Sequence, residues 1–497
     1  MSRNRLLTVV APACSLAAAP PRARFRALTR AVAFVFVSAG VLRAQGPAAA
    51  QKLPPIRPLG AVEQKSAELF GAVSAVRALP GGRVLMNDIS GRRLMMFEPS
   101  LATYVVVADT SSATANAYSS RAAGLLAYRG DSSLFVDPTS LSMMVIDGKG
   151  QIARVMAVPR PNDAGALIGN AGAPGFDAKG RLVYRAPPQF RFTPPAPGQP
   201  FAPPAIPDSM AVVRLELATR KMDTIAFVKT TKVLMNMTQD ANGRVRMSTT
   251  INPMQLVDDW AVLSDGSVAV IRARDYHVDW THADGSQSST GKTPFAWRHL
   301  DDSAKIAFID STKVAMEKIR AQAVAEREAA RASGTQVAGA QGLGGGALGG
   351  AIGGAGMTME FRMAGPGGGG DGPRSGGGGE GPRPSGGPAF NLGALPPLQF
   401  VSPSELPDYA PPFTAGSARG DMDGNLWVRT SNVVNGGSVY DVINGRGDLV
   451  DRIQVPAGRV IAGFGAGGVV YMGVREDKGV RLEQARRKPG ATPVTTP

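Results

Sequence analysis

A turn signal made of aspartate and glycine recurs along this chain of 497 residues. In each copy a Gly follows an Asp within three positions, and a stretch of alternating apolar residues lies beside the pair. Glycine accepts positive φ without strain and Asp side chains bond nearby backbone amides, so such pairs close β-hairpins. The copies are Asp147/Gly148, Asp177/Gly180, Asp240/Gly243, Asp265/Gly266, Asp284/Gly285 and Asp423/Gly424. The signal therefore predicts a repeated antiparallel unit, the building block of a β-propeller.

Groups of apolar stretches follow one another at the spacing of propeller blades. The first group runs from Ala72 to Val107, with about four strands in roughly 40 residues. Later groups begin close to these residues: Leu125, Gly175, Trp260, Leu426 and Val460. The last group is one strand short, and we expect the segment Leu69 to Val76 to supply that strand and close the ring. About 300 residues of repeats fit six blades of about 50 residues or seven of about 43.

The largest insertion into the repeats spans residues 301–390. Ser303 to Arg331 is predicted to form a helix capped by Asp301 or Asp302, because an Asp oxygen accepts bonds from the free amides of a first turn. Its apolar stripe is expected at Ile306, Ile309, Met316 and Ile319. Residues 333–390 are dominated by glycine and cannot bury enough apolar surface to become ordered. The predicted fold is an all-β propeller of six blades, with seven as the alternative, and one helical plus glycine-rich disordered insertion.

The first 44 residues have the pattern of an export signal. Six arginines and no acidic residue precede Ala31 to Val41, an apolar stretch too short for a typical membrane span. We expect cleavage between Ala44 and Gln45, a periplasmic or secreted location, and no stable membrane span once the signal is removed. Cys14 is the only cysteine and would leave with the signal, so disulfides and cysteine chemistry are not expected in the mature protein.

The formal net charge of +15 includes the arginines of this leader, and the remaining basic residues are scattered. Nucleic-acid binding needs a basic face with interleaved aromatic residues, and it is not expected here. The partner is expected to be a protein or another component of the cell envelope. The expected divisions of the chain are a signal peptide (1–44), a lead-in linker (45–69), the first part of the propeller (70–300), an inserted helix (301–332), a glycine-rich flexible linker (333–390), the last blades with ring closure (391–485) and a basic tail (486–497).

Four segments carry a resemblance to a known class of protein: SAVRALPGGRVLMND, LVDDWAVLSDGSVAVIRARDYHVDW, MDGNLWVRT with SVYDVINGRGDLVDRIQVP, and GFGAGGVVYMGV. They resemble the TolB-like and NHL-type six-bladed propellers of exported bacterial proteins, over about residues 70–300 and 395–485. The resemblance implies six blades, with Thr230 to Pro253 as an excursion from the ring. Many such relatives are binding or assembly modules and others are enzymes, so the fold does not choose a function.

One tract combines carboxylates with an imidazole. If residues 275–280 form a strand, Asp275, His277 and Asp279 share one face, since side chains alternate along a strand. Such a group binds a divalent metal such as calcium or supports acid–base chemistry. The other interpretation is an ordinary strand whose polar face meets solvent, and the sequence favours it. No cofactor is predicted.

Lactonase-type propellers hold a metal in the central channel with carboxylate and amide side chains, and Asn87, Asp88 and Asp137 lie near strand ends where they could face that channel. The chain has no Gly-x-Ser-x-Gly elbow and no His-Glu-x-x-His helix. The sequence therefore favours an exported, non-catalytic binding or scaffold protein of the envelope. The alternatives are a metal-dependent, lactonase-like hydrolase or lyase with its site in the channel, and a surface protein that makes contacts through its glycine-rich segment.

Overall fold

The computed structural model describes residues 53–119, 122–169, 172–188, 207–232, 234–239, 245–332, 360–361 and 398–488. These residues form a β-propeller of six antiparallel blades, which confirms the predicted fold and its blade number. The expected signal peptide with Cys14, Ala44 and Gln45 lies outside the described residues, and so does nearly all of the glycine-rich linker. Among the described residues, none of the helices combines the length and apolar character of a membrane span.

The strands are numbered in chain order. Two short strands precede the blades: β1 (Ile56–Pro58) and β2 (Val62–Lys65). Blade 1 contains β3 (Ala75–Ala78), β4 (Val84–Asp88), β5 (Arg93–Phe97) and β6 (Tyr104–Ala108). Blade 2 contains β7 (Gly124–Ala127), β8 (Ser133–Asp137), β9 (Ser142–Ile146) and β10 (Ile152–Ala157). Blade 3 contains β11 (Gly175–Phe176), β12 (Leu182–Arg185), β13 (Ser209–Leu215) and β14 (Met222–Lys229).

An excursion follows blade 3 and contains β15 (Leu234–Gln239) and β16 (Val245–Ile251). Blade 4 contains β17 (Asp259–Val262), β18 (Val268–Arg272), β19 (His277–Thr281) and β20 (Gln287–Ser289). Helix α1 (Asp302–Ala332) and the short strands β21 (Glu360–Phe361) and β22 (Gln399–Phe400) come next, and both strands pair with β16. Blade 5 contains β23 (Phe413–Gly420), β24 (Leu426–Val434), β25 (Gly437–Ile443) and β26 (Leu449–Val455). Blade 6 contains β27 (Arg459–Gly465), β28 (Val469–Glu476) and β29 (Gly479–Arg486). Short 3₁₀ helices occur at Pro80–Gly82, Ser112–Thr114, Pro161–Ile168 and Pro403–Glu405.

The turn signal acts as the pattern predicts. Gly180, Gly266, Gly285 and Gly424 all have positive φ, between 73° and 92°. After Asp147 the residue with positive φ is Gly150 rather than Gly148. In each of these turns the Asp at its start accepts backbone N–H bonds through a side-chain oxygen, as Asp177 does from the amide two residues later at 3.0 Å.

Six buried clusters, one between each pair of neighbouring blades, form the core. In β18 the alternate residues Val268 and Val270 pack toward blade 3, whereas Ala269 and Ile271 pack toward blade 5. Because both faces of a blade are buried, such a strand is apolar along its whole length. Each fully buried aliphatic side chain of this size contributes about 1.5–3 kcal/mol to stability. The cluster between blades 6 and 1 completes the ring, and it includes Val76 and Tyr471.

The strand that closes the ring is β2, which pairs with β29 as the fourth strand of blade 6. The prediction of a closing strand is confirmed, but its expected location at Leu69 to Val76 is wrong. Within that segment, Phe70 forms only an isolated bridge to Val480, and β3 already belongs to blade 1. The residues of β2 are Val-Glu-Gln-Lys and all are exposed, so no apolar alternation marks this strand in the sequence.

Glycine is required where the innermost strands of neighbouring blades approach each other. A Cβ on Gly463 of β27 would lie 2.0 Å from the carbonyl oxygen of Val76 in β3. A Cβ on Gly420 of β23 would lie 2.5 Å from the carbonyl oxygen of Val262 in β17. The backbones around the ring axis are therefore too close for a side chain at these positions. We call the space enclosed by the innermost strands the central channel.

Helix α1 begins as predicted, and its cap is Asp301, whose Oδ1 accepts the amide N–H of Ala304 at 2.8 Å. The expected apolar stripe is only partly correct. Met316 is buried, whereas Ile306 is 49% exposed and Ile319 is 39% exposed. The helix instead packs through Phe308 and its neighbours against a small cluster formed by Met254, Leu300, Val401, Leu406 and Ala410.

Candidate functional site

The structure brings Asp275, His277 and Asp279 together in blade 4, but the strand begins only at His277. Alternation accounts for His277 and Asp279, whereas Asp275 lies in the preceding turn, in which Tyr276 has positive φ. The His277 ring has its Nδ1 2.6 Å from Oδ1 of Asp275 and its Nε2 3.3 Å from Oδ1 of Asp279. Arg272 adds a bond from its Nε to the other oxygen of Asp279 at 2.7 Å. Burial alone raises the pKa of Asp279, but hydrogen bonds from Arg272 and Ser289 hold it below its ordinary value.

These contacts make the tract part of an inter-blade ionic network. Nη1 of Arg272 donates to Asp258 and to the backbone oxygen of Phe227 in blade 3, both at 2.7 Å. Each ring nitrogen of His277 already faces a carboxylate, so a metal ion there would have to displace one of these contacts. In the parts of the chain that the structure describes, no group of three or more His, Cys, Asp or Glu side chains is arranged to hold a metal.

The polar residues considered for a metal in the channel bind the backbone instead. Asp88 accepts the amides of Ala72 at 2.9 Å and Gly91 at 2.8 Å. Asp137 occupies the same position in blade 2 and accepts the amide of Ser119 at 2.7 Å. Asn87 is held in a similar way, between the Tyr118 hydroxyl and a backbone carbonyl. These side chains attach the linkers between blades to the strand ends, and their oxygens are committed to that role.

A different set of charged residues lies on the first two strands of blades 3, 4 and 5. Arg419 is on the innermost strand β23, and Arg429 is on the adjacent strand β24 of the same blade. Arg185 ends β12 of blade 3, beside Asp259, the first residue of β17 in blade 4. We call Arg185, Arg419 and Arg429 the arginine cluster. All three are half-buried.

Asp259 belongs to blade 4, and its charge acts on Arg185 of blade 3 and on Arg419 of blade 5. Its Oδ2 accepts the amide N–H of Ala418 at 2.8 Å, which ties β17 to β23. Burial raises its pKa to about 6, against the lowering effects of backbone amide bonds and of the Arg185 charge. Burial also lowers the pKa of Arg419, and the nearby Arg429 lowers it further, whereas Tyr440 and Asp259 oppose this shift.

The arginine cluster has no partner of its own. Among the described residues, none of its three guanidinium groups makes a hydrogen bond, and none lies within 4.0 Å of a carboxylate. Several other half-buried or buried arginines of the propeller are paired with carboxylates: Arg57 with Asp451, Arg181 with Asp177, Arg272 with Asp258, Arg452 with Asp441 and Arg459 with Glu483. The three guanidinium groups therefore make no direct ion pair, although the charge of Asp259 acts on Arg185 and on Arg419.

A second polar group near Arg419 also lacks a partner. Ser417 is 2% exposed, and within the described part of the chain its hydroxyl oxygen has no hydrogen-bond partner. Ala418 packs into the core between blades 4 and 5, so alternation places Ser417 and Arg419 together on the opposite side of β23. Buried hydroxyl groups in native proteins are almost always bonded, so this one calls for an explanation.

The sequence interpretation missed this site, because its residues come from three separate strands and form no motif. The second strand ends in Asp88 in blade 1 and in Asp137 in blade 2, whereas the corresponding strands of blades 3 and 4 end in Arg185 and Arg272. Because Arg272 belongs to an ion-pair network, an Arg at this position does not by itself mark a functional site.

Titration of Asp259 makes a testable contribution to stability. Its pKa is raised to about 6 in the folded protein from 3.8, so the stabilising, protonated form is lost as pH rises through this window. Between pH 4 and pH 7, we expect the free energy of unfolding of wild type to fall by up to about 3 kcal/mol relative to that of Asp259→Asn. Asn keeps an acceptor for the Ala418 amide, and Asp441, with its pKa also raised to about 6, is present in both proteins. Denaturant unfolding at both pH values measures the difference, and a pH-independent difference would contradict the account.

Comparisons with known proteins extend only to the fold. No protein-family model matches the sequence, and no curated protein matches it either. Among solved structures, the chain is similar to regucalcin, a calcium-binding protein from Agrobacterium tumefaciens, with 9% identity, a TM-score of 0.33, and coverage of 88% of this chain and 98% of that one. It is also similar to virginiamycin B lyase from Staphylococcus aureus, with 8% identity, a TM-score of 0.30, and coverage of 84% of this chain and 96% of that one. A third similar structure is an aldose sugar dehydrogenase from Streptomyces coelicolor, with 10% identity, a TM-score of 0.29, and coverage of 88% of this chain and 100% of that one. Such distant likeness gives no information about ligand or reaction.

Proposed function

We propose that this protein is a binding protein whose central channel takes a small anionic ligand through the arginine cluster. The observation that carries the proposal is that three half-buried arginines have no carboxylate within 4.0 Å among the described residues. Transferring an unpaired charge out of water is costly, so a folded protein normally pairs it. A bound anion would supply the missing partner.

The chemistry of the guanidinium group defines the class of ligand. Its five N–H donors form a rigid fork that matches the oxygens of a carboxylate or a phosphate, and it is more weakly hydrated than an ammonium group. Charge-assisted bonds of this kind are stronger than neutral ones, and protein around the channel reduces screening by water. Ser417 would add a neutral hydroxyl to the site. Oxyanions therefore fit the cluster better than neutral or cationic ligands.

Titration of the intact protein with inorganic phosphate tests the proposal. We expect saturable binding of one anion by calorimetry, and a Tm that rises with phosphate concentration because the ligand binds only the folded state. Affinity should fall as sodium chloride is raised, since chloride screens the arginines and competes for them. Absence of heat and of any Tm change up to tens of millimolar phosphate would contradict it.

The alternative is a hydrolase or lyase with its reaction in the same channel. It is supported by Asp259, whose pKa of about 6 suits a general acid or base near neutral pH. The binding role has better support, because the carboxylate that faces the arginines bonds backbone amides, and Asp88 and Asp137 do the same. Turnover of a bound ester or lactone by the purified protein, lost in Asp259→Asn, would favour the alternative.

We also propose that the protein is exported and belongs to the TolB-like or NHL-type propellers of the cell envelope, where a protein or another envelope component is its partner. The basic leader and the apolar stretch Ala31 to Val41 support export. We expect the mature protein to begin at Gln45. N-terminal sequencing of the protein recovered from the periplasm or the medium tests this, and an intact leader on cytoplasmic protein would contradict it.

A further inference from the structure

We propose that an exposed aromatic patch of this protein is the docking site for the proline-rich segment of the same chain, residues 194–207. The aromatic patch consists of Trp297, His299 and Tyr409, all in the connection from blade 4 to blade 5. The proline-rich segment lies between β12 and β13 of blade 3. Docking of one on the other needs no ligand in the channel, so it is independent of the proposed function.

A short ladder between two extended segments turns the aromatic patch toward solvent. His299 and Tyr409 form an antiparallel bridge, with backbone hydrogen bonds of 2.8 and 3.0 Å on either side. Their neighbours Leu300 and Ala410 are buried in the cluster against which helix α1 packs. Because side chains alternate along an extended chain, Trp297, His299 and Tyr409 point away from that cluster. The patch is the outer face of this ladder.

The rings of the patch support one another and stay accessible. Tyr409 meets Trp297 edge-on, with 6.5 Å between the ring centroids, and meets His299 edge-on at 5.3 Å. Trp297 is 38% exposed and Tyr409 is 50% exposed. Aromatic side chains held at a surface in this way are typical of binding sites, because they offer much apolar area at little cost in side-chain entropy. The other tryptophans of the chain are all buried: Trp260, Trp280 and Trp427.

The proline-rich segment has the repeat that such a surface recognises. A proline occurs at every third position over ten residues: Pro194, Pro197, Pro200 and Pro203. A polyproline II helix has three residues per turn, so this spacing would align the four rings as a ridge along one edge of the helix. Aromatic surfaces bind proline-rich chains of this kind, because the preformed helix loses little entropy on docking. Residues 189–206 lie outside those that the structure describes.

The end of the proline-rich segment is held near the patch. Asp208, which follows the segment, accepts the amide N–H of Thr230 at its backbone oxygen at 2.8 Å. Thr230 precedes Leu234 by four residues, which is at most about 14 Å along the chain. Leu234 packs against the cluster that lies behind the patch. A polyproline II helix from Pro194 to Asp208 would span about 43 Å, so its prolines can reach the patch.

Attachment to the propeller favours this segment over a separate partner. A tethered segment that spans the distance has an effective concentration of about millimolar at its site. Contacts between proline and aromatic rings that are too weak to hold a free peptide are then strong enough. A second copy of the chain at micromolar concentration does not reach this value.

Acrylamide quenching of tryptophan fluorescence in the intact protein tests the docking. In wild type we expect all four tryptophans to be shielded, Trp297 by the segment and the others by the core. Replacing the four prolines of the ridge by Ala should expose Trp297 and make about one quarter of the fluorescence quenchable, one tryptophan of the four. Adding Trp297→Phe to this ridge variant should remove the gain. The ridge variant is Pro194→Ala/Pro197→Ala/Pro200→Ala/Pro203→Ala.

The glycine-rich linker provides a matched control with the same number of changes. The linker variant, which should be quenched like wild type, is Pro373→Ala/Pro382→Ala/Pro384→Ala/Pro388→Ala. Both variants should keep the wild-type Tm, since their substitutions lie outside the blades.

Three outcomes would overturn the docking. The first is equal quenching of wild type and the ridge variant, whether Trp297 is exposed or shielded in both. The second is exposure of Trp297 in the linker variant as well, because the effect would then not belong to the three-residue spacing. The third is shielding of wild type that is lost on dilution, which would show that a second copy covers the patch.

Discussion

Replacement of Arg419 by Ala is expected to weaken phosphate binding by at least about tenfold, and the double variant Arg185→Ala/Arg419→Ala should abolish it. Each change removes a guanidinium that makes no hydrogen bond or ion pair among the described residues and can therefore bond the ligand. Calorimetric titration with phosphate at low and high salt measures the loss. The double variant should also lose the dependence of binding on salt, since that dependence comes from the same charges.

Stability separates a ligand-binding role from a structural one. Without ligand, an unpaired, half-buried charge lowers the stability of the folded state, so Arg419→Ala should unfold at the same Tm as wild type or higher. Arg452, which is buried and paired with Asp441 at 3.2 Å, is the structural contrast, and Arg452→Ala should lower the Tm markedly. Arg446→Ala, at a side chain that is 86% exposed, is the neutral control for binding. A lower Tm of Arg419→Ala with unchanged phosphate affinity would contradict the account.

Substitution of Gly463 by Val is expected to destabilise the propeller by several kcal/mol or to prevent folding. The added Cβ would lie 2.0 Å from the Val76 carbonyl oxygen, and that oxygen belongs to backbone in the innermost strand of blade 1. Neither strand can yield without disturbing the packing between blades 6 and 1, where the ring closes. Gly463→Ala already places a Cβ against this oxygen, so its thermal or denaturant unfolding curve should show most of the loss of stability.

Two other glycines provide controls for this effect. A Cβ added at Gly165 or Gly291 would meet nothing within 4 Å, and neither residue has positive φ. Gly165→Ala and Gly291→Ala should therefore unfold within about 0.5 kcal/mol of wild type. If Gly463→Ala were as stable as these controls, the innermost strands would not be in the close contact described for the ring.

The repeated hairpins could be predicted because two independent signals coincide. Asp and Gly fix the turns locally, and blades with two buried faces need apolar residues along each strand, as β18 shows. Among the strands that were not predicted, β2 and β23 show the physical reasons. β2 is a short exposed edge of polar residues, and β23 contains small residues because Gly420 must approach the β17 backbone. Neither strand has the apolar pattern by which strands are recognised.

The candidate site was less predictable than the fold. Alternation correctly grouped His277 and Asp279, which lie on one strand. It did not predict the turn that holds Asp275, or the bonds of these residues to each other and to Arg272. Arg185 and Arg419 are more than 200 positions apart in the sequence, and only the closed ring brings the charge of Asp259 to act on both. A single sequence holds no local pattern for such an arrangement.

A crystal structure of the wild-type protein grown with phosphate tests the central claim most directly. The account predicts a tetrahedral anion in the central channel, bonded by guanidinium groups of Arg185 and Arg419. The same crystals of Arg185→Ala/Arg419→Ala should lack it. A channel in which these arginines instead bond protein groups or water, with no anion at saturating phosphate, would contradict the account.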